Sequence, residues 1–324
     1  VHDPSYLKRG VKSVDWLGLA LLTLSLTSMQ LVLERGQEEN WFDSNLILAG
    51  SVICVLATVW FIFWELNSNE PIVDFRLLKN RQLSVGSTMG FIFGIGLFGS
   101  TFILPQFTQQ LLGYPALEAG LVLLPRALTL LLCMPIVGWL YKHSDARWTI
   151  LFGIGAIVWS YYDLARLSLE ADFWSIVPML ALMGVGMAFM FVTVTTVAPS
   201  TTSRRDMTSA SALYTLSRRV GGNLGYAIVA TLIARGQQLH RSTMVGHISP
   251  LNPNYVNFSE HANRVLTQAG VPSAAIPKAQ HLATEKLIMK QSTMLAYNDV
   301  SFVLGLLFFL MVPLLFLLPR QPKG

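Results

Sequence analysis

Charged side chains are scarce in this sequence. Only 13% of its 324 residues are Asp, Glu, Lys or Arg, whereas 52% are Ala, Val, Ile, Leu, Met, Phe, Trp, Tyr or Cys. Soluble domains carry about 25% charged residues, so the composition excludes an ordinary soluble domain and also a disordered or collagen-like chain. The sequence indicates a protein that lies in a lipid bilayer.

Cysteine and the signatures of soluble enzymes are also lacking. The two cysteines, Cys54 and Cys133, fall in apolar runs, so we expect no disulfide. No phosphate loop, Gly-x-Ser-x-Gly element or zinc-type Cys/His cluster occurs, so the sequence predicts neither an enzyme nor a metal site. The net charge of +5 comes from Lys and Arg at membrane boundaries, which does not indicate nucleic-acid binding.

Eight apolar runs are long enough to cross the hydrocarbon core as helices, which takes about 20 residues each. Backbone amides in lipid must bond within their own segment, and the runs are too long for barrel strands, so an all-α polytopic membrane protein with eight transmembrane helices is predicted. The predicted spans are residues 14–33, 46–66, 83–112, 116–141, 149–167, 175–198, 209–234 and 300–318.

Lys and Arg are unequally divided between the predicted loops. Twelve lie on one side, but the short loops on the other side hold only Arg35 and Arg166. The positive-inside rule therefore predicts that both termini of this chain are cytoplasmic and that the segment of about 235–298 is an outer loop. Residues 1–13 read as a loop between two spans, so we expect further helices before them.

The last six spans form two triplets of similar layout. Each begins with a Gly-rich helix, continues with a helix that carries Arg beside Pro or Gly, and ends with a plainer helix. Two consecutive triplets with an odd number of helices are inverted relative to each other, as in many secondary transporters. The pattern predicts an inverted repeat of three plus three helices.

Eight motifs follow one another along the chain: Asp15-Trp16-x-Gly18, Glu34-Arg35-Gly36, Pro71-Ile72-Val73-Asp74, Leu104-Pro105-Gln106, Leu124-Pro125-Arg126, Pro135-x-x-Gly138, Ser209 to Gly225 and Ala296-Tyr297-Asn298-Asp299. In this order they resemble fourteen-helix EmrB/QacA-type drug:proton antiporters of the major facilitator superfamily. The resemblance implies that residues 1–82 are a cytoplasmic lead-in and a two-helix insert. It implies that residues 83–324 are the six-helix carboxy-terminal bundle, without its amino-terminal counterpart.

The same resemblance implies a function. It predicts a secondary active transporter of the inner membrane that exports lipophilic, often cationic drugs, with the proton gradient as energy source and no cofactor. Its expected partners are the lipid bilayer, a small lipophilic substrate, a periplasmic adaptor and an outer-membrane channel. Two alternatives remain open: export of an endogenous metabolite or siderophore, and a truncated remnant or scaffold that does not transport.

Ionisable side chains inside spans are costly and mark candidate functional sites. Arg126 and Arg218 are the leading candidates, with pairing to carbonyls or a carboxylate as the structural alternative. Asp15, Glu65 and Asp299 fall at span ends, so we expect the proton-coupling acid to lie outside this chain.

Aromatic and Met side chains on the first helix of each triplet suit a deformable wall for apolar cations. Ordinary helix packing is the alternative for the Met stripe. The predicted substrate-cavity residues are Phe91, Phe98, Phe102, Gln106, Arg126, Met183, Met187, Met190 and Arg218.

Glycines and one loop complete the candidates. Gly86, Gly90 and Gly94 form a small-xxx-small pattern that indicates close helix contact. Helix hinges are predicted at Gly221, Gly222 and Gly225. In the inner loop, Gly138, Asp145 and Arg147 are the candidate gating motif, although Lys142 stands where the family expects Asp. The alternative is that Asp145 only caps the next helix.

Overall fold

The computed structural model describes residues 15–68, 71–204, 206–249 and 251–318, and these residues form helices and short connections without any β-strand. The helices are α1 Trp16–Arg35, α2 Asn45–Asn67, α3 Arg81–Gln106, α4 Ala116–His143, α5 Ala146–Leu164, α6 Phe173–Val197, α7 Met207–Gly246, α8 Pro253–Gln268, α9 Ile276–Phe309 and α10 Val312–Leu317. The all-α prediction is confirmed.

Six segments of the described chain are long and apolar enough to cross a membrane. They are α1, α2, α4, α6, the segment Arg81–Leu111 that contains α3, and the segment Ser273–Leu317 that contains α9 and α10. Helices α5 and α7 are not among these segments. Arg147 and Asp163 on α5, and Arg218 and Arg219 on α7, lower the mean hydropathy of the two helices. The count of eight spans therefore stays a prediction.

The helix pairing relates the two predicted triplets. The first helix of the first triplet, α3, packs along α7, which is the second helix of the other triplet. Likewise α6, the first helix of the second triplet, packs along α4. The third helices, α5 and α9, contact each other. An inverted repeat produces this exchange of partners, because a two-fold axis carries the α3–α7 pair onto the α6–α4 pair.

The helices α1 and α2 form a hairpin beside this bundle, and α1 contacts α7. Apolar side chains cover most of the free surface of α2; Val55, Leu56 and Phe63 are each at least 60% exposed. A continuous apolar surface of this size is unfavourable in water and suits contact with lipid.

The segment predicted as an outer loop, about 235–298, is largely helical. Helix α7 continues to Gly246, α8 follows, and α9 begins at Ile276. The extensions of α7 and α9 are joined by His240 and Asp299, whose side chains are 2.7 Å apart, and by an Arg241–Glu285 ion pair. Helix is the main secondary structure of this segment, and charge pairs between the two extensions take the place of apolar periodicity there. Its place outside the membrane stays a prediction.

The end of α3 departs from regular α-helix. Pro105 lies inside the last turn, and the backbone widens into a π-helical turn over Phe107–Leu111, where the amide of Leu112 bonds to the carbonyl of Phe107. Proline lacks an amide hydrogen and so removes a helical bond, which favours such widening. Gly113 then reverses the chain with a φ of +75°, a conformation that suits glycine.

Candidate functional site

The interface between α3 and α7 is made by backbone against backbone. A Cβ added at Gly94 would lie 2.2 Å from the carbonyl oxygen of Arg218, and one at Gly221 would lie 2.1 Å from that of Phe91. A Cβ at Gly225 would lie 2.5 Å from the carbonyl oxygen of Ile95. These glycines let the two helices approach closely, and this contact fixes where the side chains of α3 and α7 point.

The other predicted glycines face side chains. Gly86 lies against Ala198, Gly90 against the ring of Tyr214, and Gly222 against the ring of Phe98. At each of the six predicted glycines a neighbouring atom leaves no room for a side chain, so close helix contact explains why glycine stands there. A hinge at Gly221, Gly222 and Gly225 stays a prediction.

Two of the predicted phenylalanines meet on one tyrosine of α7. The ring of Tyr226 lies 6.0 Å from that of Phe98 and 5.7 Å from that of Phe102, the latter edge to face. Phe91 is half-buried at the α3–α7 contact. Tyr226 was not among the predicted residues. The signal was its position directly after Gly225, one of the glycines of α7 that contact α3.

Arg218 stands over an aromatic ring and has no carboxylate partner among the described residues. Its guanidinium carbon lies 4.9 Å from the ring centroid of Phe191 on α6, within cation–π range. Its Nε is buried and makes no hydrogen bond. The guanidinium therefore keeps donor capacity that the described part of the chain does not use.

Arg126 has a similarly incomplete set of partners. Its guanidinium donates a long hydrogen bond of 3.5 Å to the hydroxyl of Thr101 on α3. The hydroxyl of Tyr161 donates instead to the carbonyl of Gly96 at 3.2 Å. No carboxylate within the described ranges forms an ion pair with Arg126. The alternative that a carboxylate pairs with Arg126 for structural reasons therefore finds no support among these residues.

The three predicted methionines lie inside the packing of the bundle. Met183, Met187 and Met190 are all 0% exposed and belong to the main hydrophobic core. One reason is the close approach of α6 to α5, where a Cβ at Gly153 would lie 3.2 Å from Cγ of Met190. The three methionines therefore pack within the bundle in this structure. Their role as a surface for the substrate stays a prediction.

A cavity with a volume of about 690 Å³ is lined by residues of four helices. It lies at the predicted outer end, between the end of α1 and the outer parts of α3, α7 and α9. Phe102 and Gln106 line it, whereas the other predicted cavity residues do not. Gln106 accepts a hydrogen bond of 3.4 Å from the hydroxyl of Tyr297, which also lines the cavity.

In the inner loop, the candidate gating residues do not form a charge pair with each other. The carboxylate of Asp145 accepts a hydrogen bond of 3.0 Å from the amide of Arg147 and so caps α5. The guanidinium of Arg147 bonds to the carbonyl oxygen of Leu318. No atom lies within 4 Å of a Cβ added at Gly138. The cap that was the structural alternative for Asp145 is present, and a gating role stays a prediction.

One buried carboxylate was missed by sequence reasoning. Glu65 was placed at a span end, yet it is only 1% exposed, and its Oε2 accepts a hydrogen bond from the amide of Val73. A Cβ added at Gly18 would lie 2.9 Å from Oε1 of Glu65 and 2.6 Å from Oδ2 of Asp15, so both carboxylates lie close to Gly18. Asp15 and Gly18 belong to one of the motifs that carry the family resemblance, but Glu65 lies between the motifs, so no sequence pattern indicated its burial.

The described ranges contain no group of three or more His, Cys, Asp and Glu side chains that could hold a metal ion. The candidate site is therefore made of arginines, amides and aromatic rings. It is suited to binding and orienting a ligand, and it lacks an evident nucleophile with its base.

The exposed apolar surface, the paired helices and the half-buried arginines within them define a multi-pass membrane protein with a transporter-like bundle. Residues 16–226 match the family model of the Major Facilitator Superfamily, and the chain belongs to this family of membrane transporters.

The chain is also related to bacterial exporters. It is 30% identical over 244 residues to "Multidrug export protein EmrB" of Escherichia coli K12, covering 75% of this chain and 48% of that protein. It is 28% identical to the protein of the same name in Haemophilus influenzae, covering 95% of this chain and 58% of the relative. "Fatty acid resistance protein FarB" of Neisseria gonorrhoeae is 26% identical, covering 94% and 58%. The chain thus spans about half the length of these relatives.

Proposed function

We propose that this chain is the carboxy-terminal portion of a proton-coupled exporter of lipophilic, often cationic compounds. The observation that carries the proposal is its likeness, over 75% to 95% of its length, to proteins named for multidrug export. In this proposal residues 1–82 supply the two-helix insert and residues 83–324 supply the second bundle. A partner bundle encoded before residue 1 completes the gate, and the two bundles rock about a site near the membrane midplane.

Arg126 and Arg218 are proposed to set the electrostatic potential of the substrate path. Both lie on second helices of their triplets, and neither has a carboxylate partner among the described residues. A guanidinium without a carboxylate inside a membrane protein is costly, which favours a functional use. The aromatic cluster of Phe98, Phe102 and Tyr226 offers ring surfaces to a flat apolar substrate.

The outer helices are proposed to meet a periplasmic adaptor that leads to an outer-membrane channel. The extensions of α7 and α9, with α8 beside them, form a folded layer beyond the predicted membrane boundary. The charge pairs His240–Asp299 and Arg241–Glu285 stiffen this layer.

A second candidate is export of an anionic amphiphile or an endogenous metabolite. It is favoured by the relative that is named for fatty acid resistance and by the two unpaired arginines, which would bind a carboxylate directly. Competition between a cationic dye and a fatty acid during efflux separates the two candidates, because only a shared path lets one slow the other.

The test uses the gene product as its reading frame encodes it, including any residues before Val1. Ethidium efflux is measured from cells with and without a protonophore. The proposal expects efflux that stops when the proton gradient is dissipated. Efflux that ignores the protonophore contradicts proton coupling, and absence of efflux from a folded product supports the non-transporting remnant.

The arginine assignment is tested with neighbours on one helix. Arg218→Ala should reduce efflux strongly, whereas Arg219→Ala should have little effect, because Arg219 is exposed and points about 100° away around the helix. Equal amounts of folded protein, judged by elution from a size-exclusion column, are the control. Equal efflux by both variants would remove Arg218 from the site.

A further inference from the structure

The cavity of about 690 Å³ carries opposite charges on its two flanks. Glu34 in the last turn of α1 and Glu38 in the turn that follows line one flank, and Lys286 and Lys290 line the other from α9. The two lysines are four residues apart, so they lie on the same face of the helix. The cavity is therefore acidic on the side of the two-helix insert and basic on the side of the last helix.

These charges form no ion pair with each other among the described residues. The ion pairs within the described residues are His240–Asp299 and Arg241–Glu285, and neither involves a charged residue of the cavity. Glu34 accepts a hydrogen bond of 3.2 Å from Gln30 within its own helix. Arg241 is already occupied by Glu285, so it does not compete for the cavity acids. Both flanks remain free to contact a ligand.

The floor between the flanks is aromatic and amide-rich. Phe102 lies edge to face with Tyr226 at 5.7 Å, and the amide oxygen of Gln106 accepts a hydrogen bond from Tyr297. Both Phe102 and Gln106 line the cavity. A site that combines an apolar floor with a few placed polar groups is typical of small-molecule binding.

We propose that this cavity binds a zwitterionic amphiphile, with its cationic group at Glu34 and Glu38 and its anionic group at Lys286 and Lys290. A simple cation is attracted by one flank and repelled by the other, whereas a zwitterion gains at both. This inference rests on the proposed export function in one respect: it places the cavity at the outer end of the export path. It gives the two-helix insert a direct part in substrate recognition.

The test compares two dyes with one fluorescent core. Rhodamine 110 carries a free carboxylate, and rhodamine 123 is its methyl ester and therefore a cation without the anionic group. Binding of each dye to the purified full chain in detergent is followed by fluorescence anisotropy. Rhodamine 110 should bind more tightly than rhodamine 123.

Two double variants probe the flanks separately. Glu34→Gln with Glu38→Gln should weaken both dyes about fivefold, the upper range for exposed charge pairs. Lys286→Met with Lys290→Met should weaken rhodamine 110 by a similar factor but strengthen rhodamine 123, because only repulsion is removed for the cation. The opposite response of the two dyes is a result that unfolding does not produce.

Matched controls lie just outside the cavity. Glu39→Gln and Lys278→Met remove the same kinds of exposed charge from the same two regions without touching the lining. Both controls should bind the dyes as the unaltered chain does. Equal binding of the two dyes, or a lysine variant that changes both in the same direction, overturns the inference. Dye binding that behaves as expected in a protein that shows no proton-driven efflux would overturn the proposed export function alone.

Discussion

Replacing Gly94 with alanine tests whether α3 and α7 are held by direct backbone contact. A Cβ at this position would lie 2.2 Å from the carbonyl oxygen of Arg218 and 3.0 Å from the amide nitrogen of Gly222. Ordinary van der Waals contact begins at 3.4 Å, so the added carbon would have to move about 1.2 Å, the difference between 2.2 and 3.4 Å.

The movement must come from the helices themselves. Both crowded atoms belong to the backbone of α7 and cannot rotate away as a side chain would. A gap of about 0.5–1 Å between packed atoms already forfeits roughly a quarter to a half of their dispersion attraction. Insertion of a methyl group into well-packed structure typically costs about 1–3 kcal/mol, and we expect this site to fall in the upper part of that range.

The assay is thermal unfolding of the purified chain in detergent, followed by the circular dichroism of its helices. Gly155→Ala on α5 is the matched control, because nothing lies within 4 Å of a Cβ added there. Gly94→Ala should lower the unfolding midpoint by several degrees, and Gly155→Ala should leave it unchanged or raise it, since alanine favours helix over glycine.

A double variant gives a second check. Gly94→Ala and Gly221→Ala crowd the same interface from opposite sides. Once the first has separated the helices, the second should cost less, so their combined effect should be smaller than the sum. An unchanged midpoint for Gly94→Ala, or a strictly additive double variant, would show that the two backbones are not in contact.

Two further predictions follow from single hydrogen bonds. Asp145→Ala should lower the free energy of unfolding by about 1 kcal/mol while Asp145→Asn should not, because Asn still caps a helix; loss of efflux in a normally stable Asp145→Asn would instead show that the charge itself gates. The Thr129 hydroxyl lies 2.8 Å from the carbonyl oxygen of Pro125 in its own helix and 2.9 Å from that of Ala181 on α6. Donation of its one hydrogen to Ala181 predicts a cost of about 0.6 kcal/mol for Thr129→Val. Thr196→Val, whose hydroxyl bonds only within α6, should unfold as the unaltered chain does, and an equal loss in both would rule out the interhelical bond.

Local chemistry made the helices predictable. Apolar length indicated the helical segments, because a span must satisfy its own backbone within lipid. Small-residue spacing also indicated that α3 makes a close contact at Gly94. Neither pattern identifies the partner helix, so the pairing of α3 with α7 could not be predicted. The sequence left packing and cavity lining both open for Met187, and the fold buries it.

Residues near span ends were harder to interpret from sequence. Glu65 has the same neighbours in sequence whether it faces water or protein, and only the fold shows that it is 1% exposed beside Asp15. The opposite charges of Glu34 and Lys286 are separated by about 250 positions in sequence, and no local pattern connects them.

Composition and motif order alone determined that this is a helical membrane protein of a transporter family, because the bilayer penalises charge and unpaired backbone wherever they occur along the chain. The tertiary structure alone decided which helices touch, which arginines lack a carboxylate, and that α1 and α9 border one cavity. Those properties depend on distances between residues far apart in sequence, and such distances are set only when the helices pack.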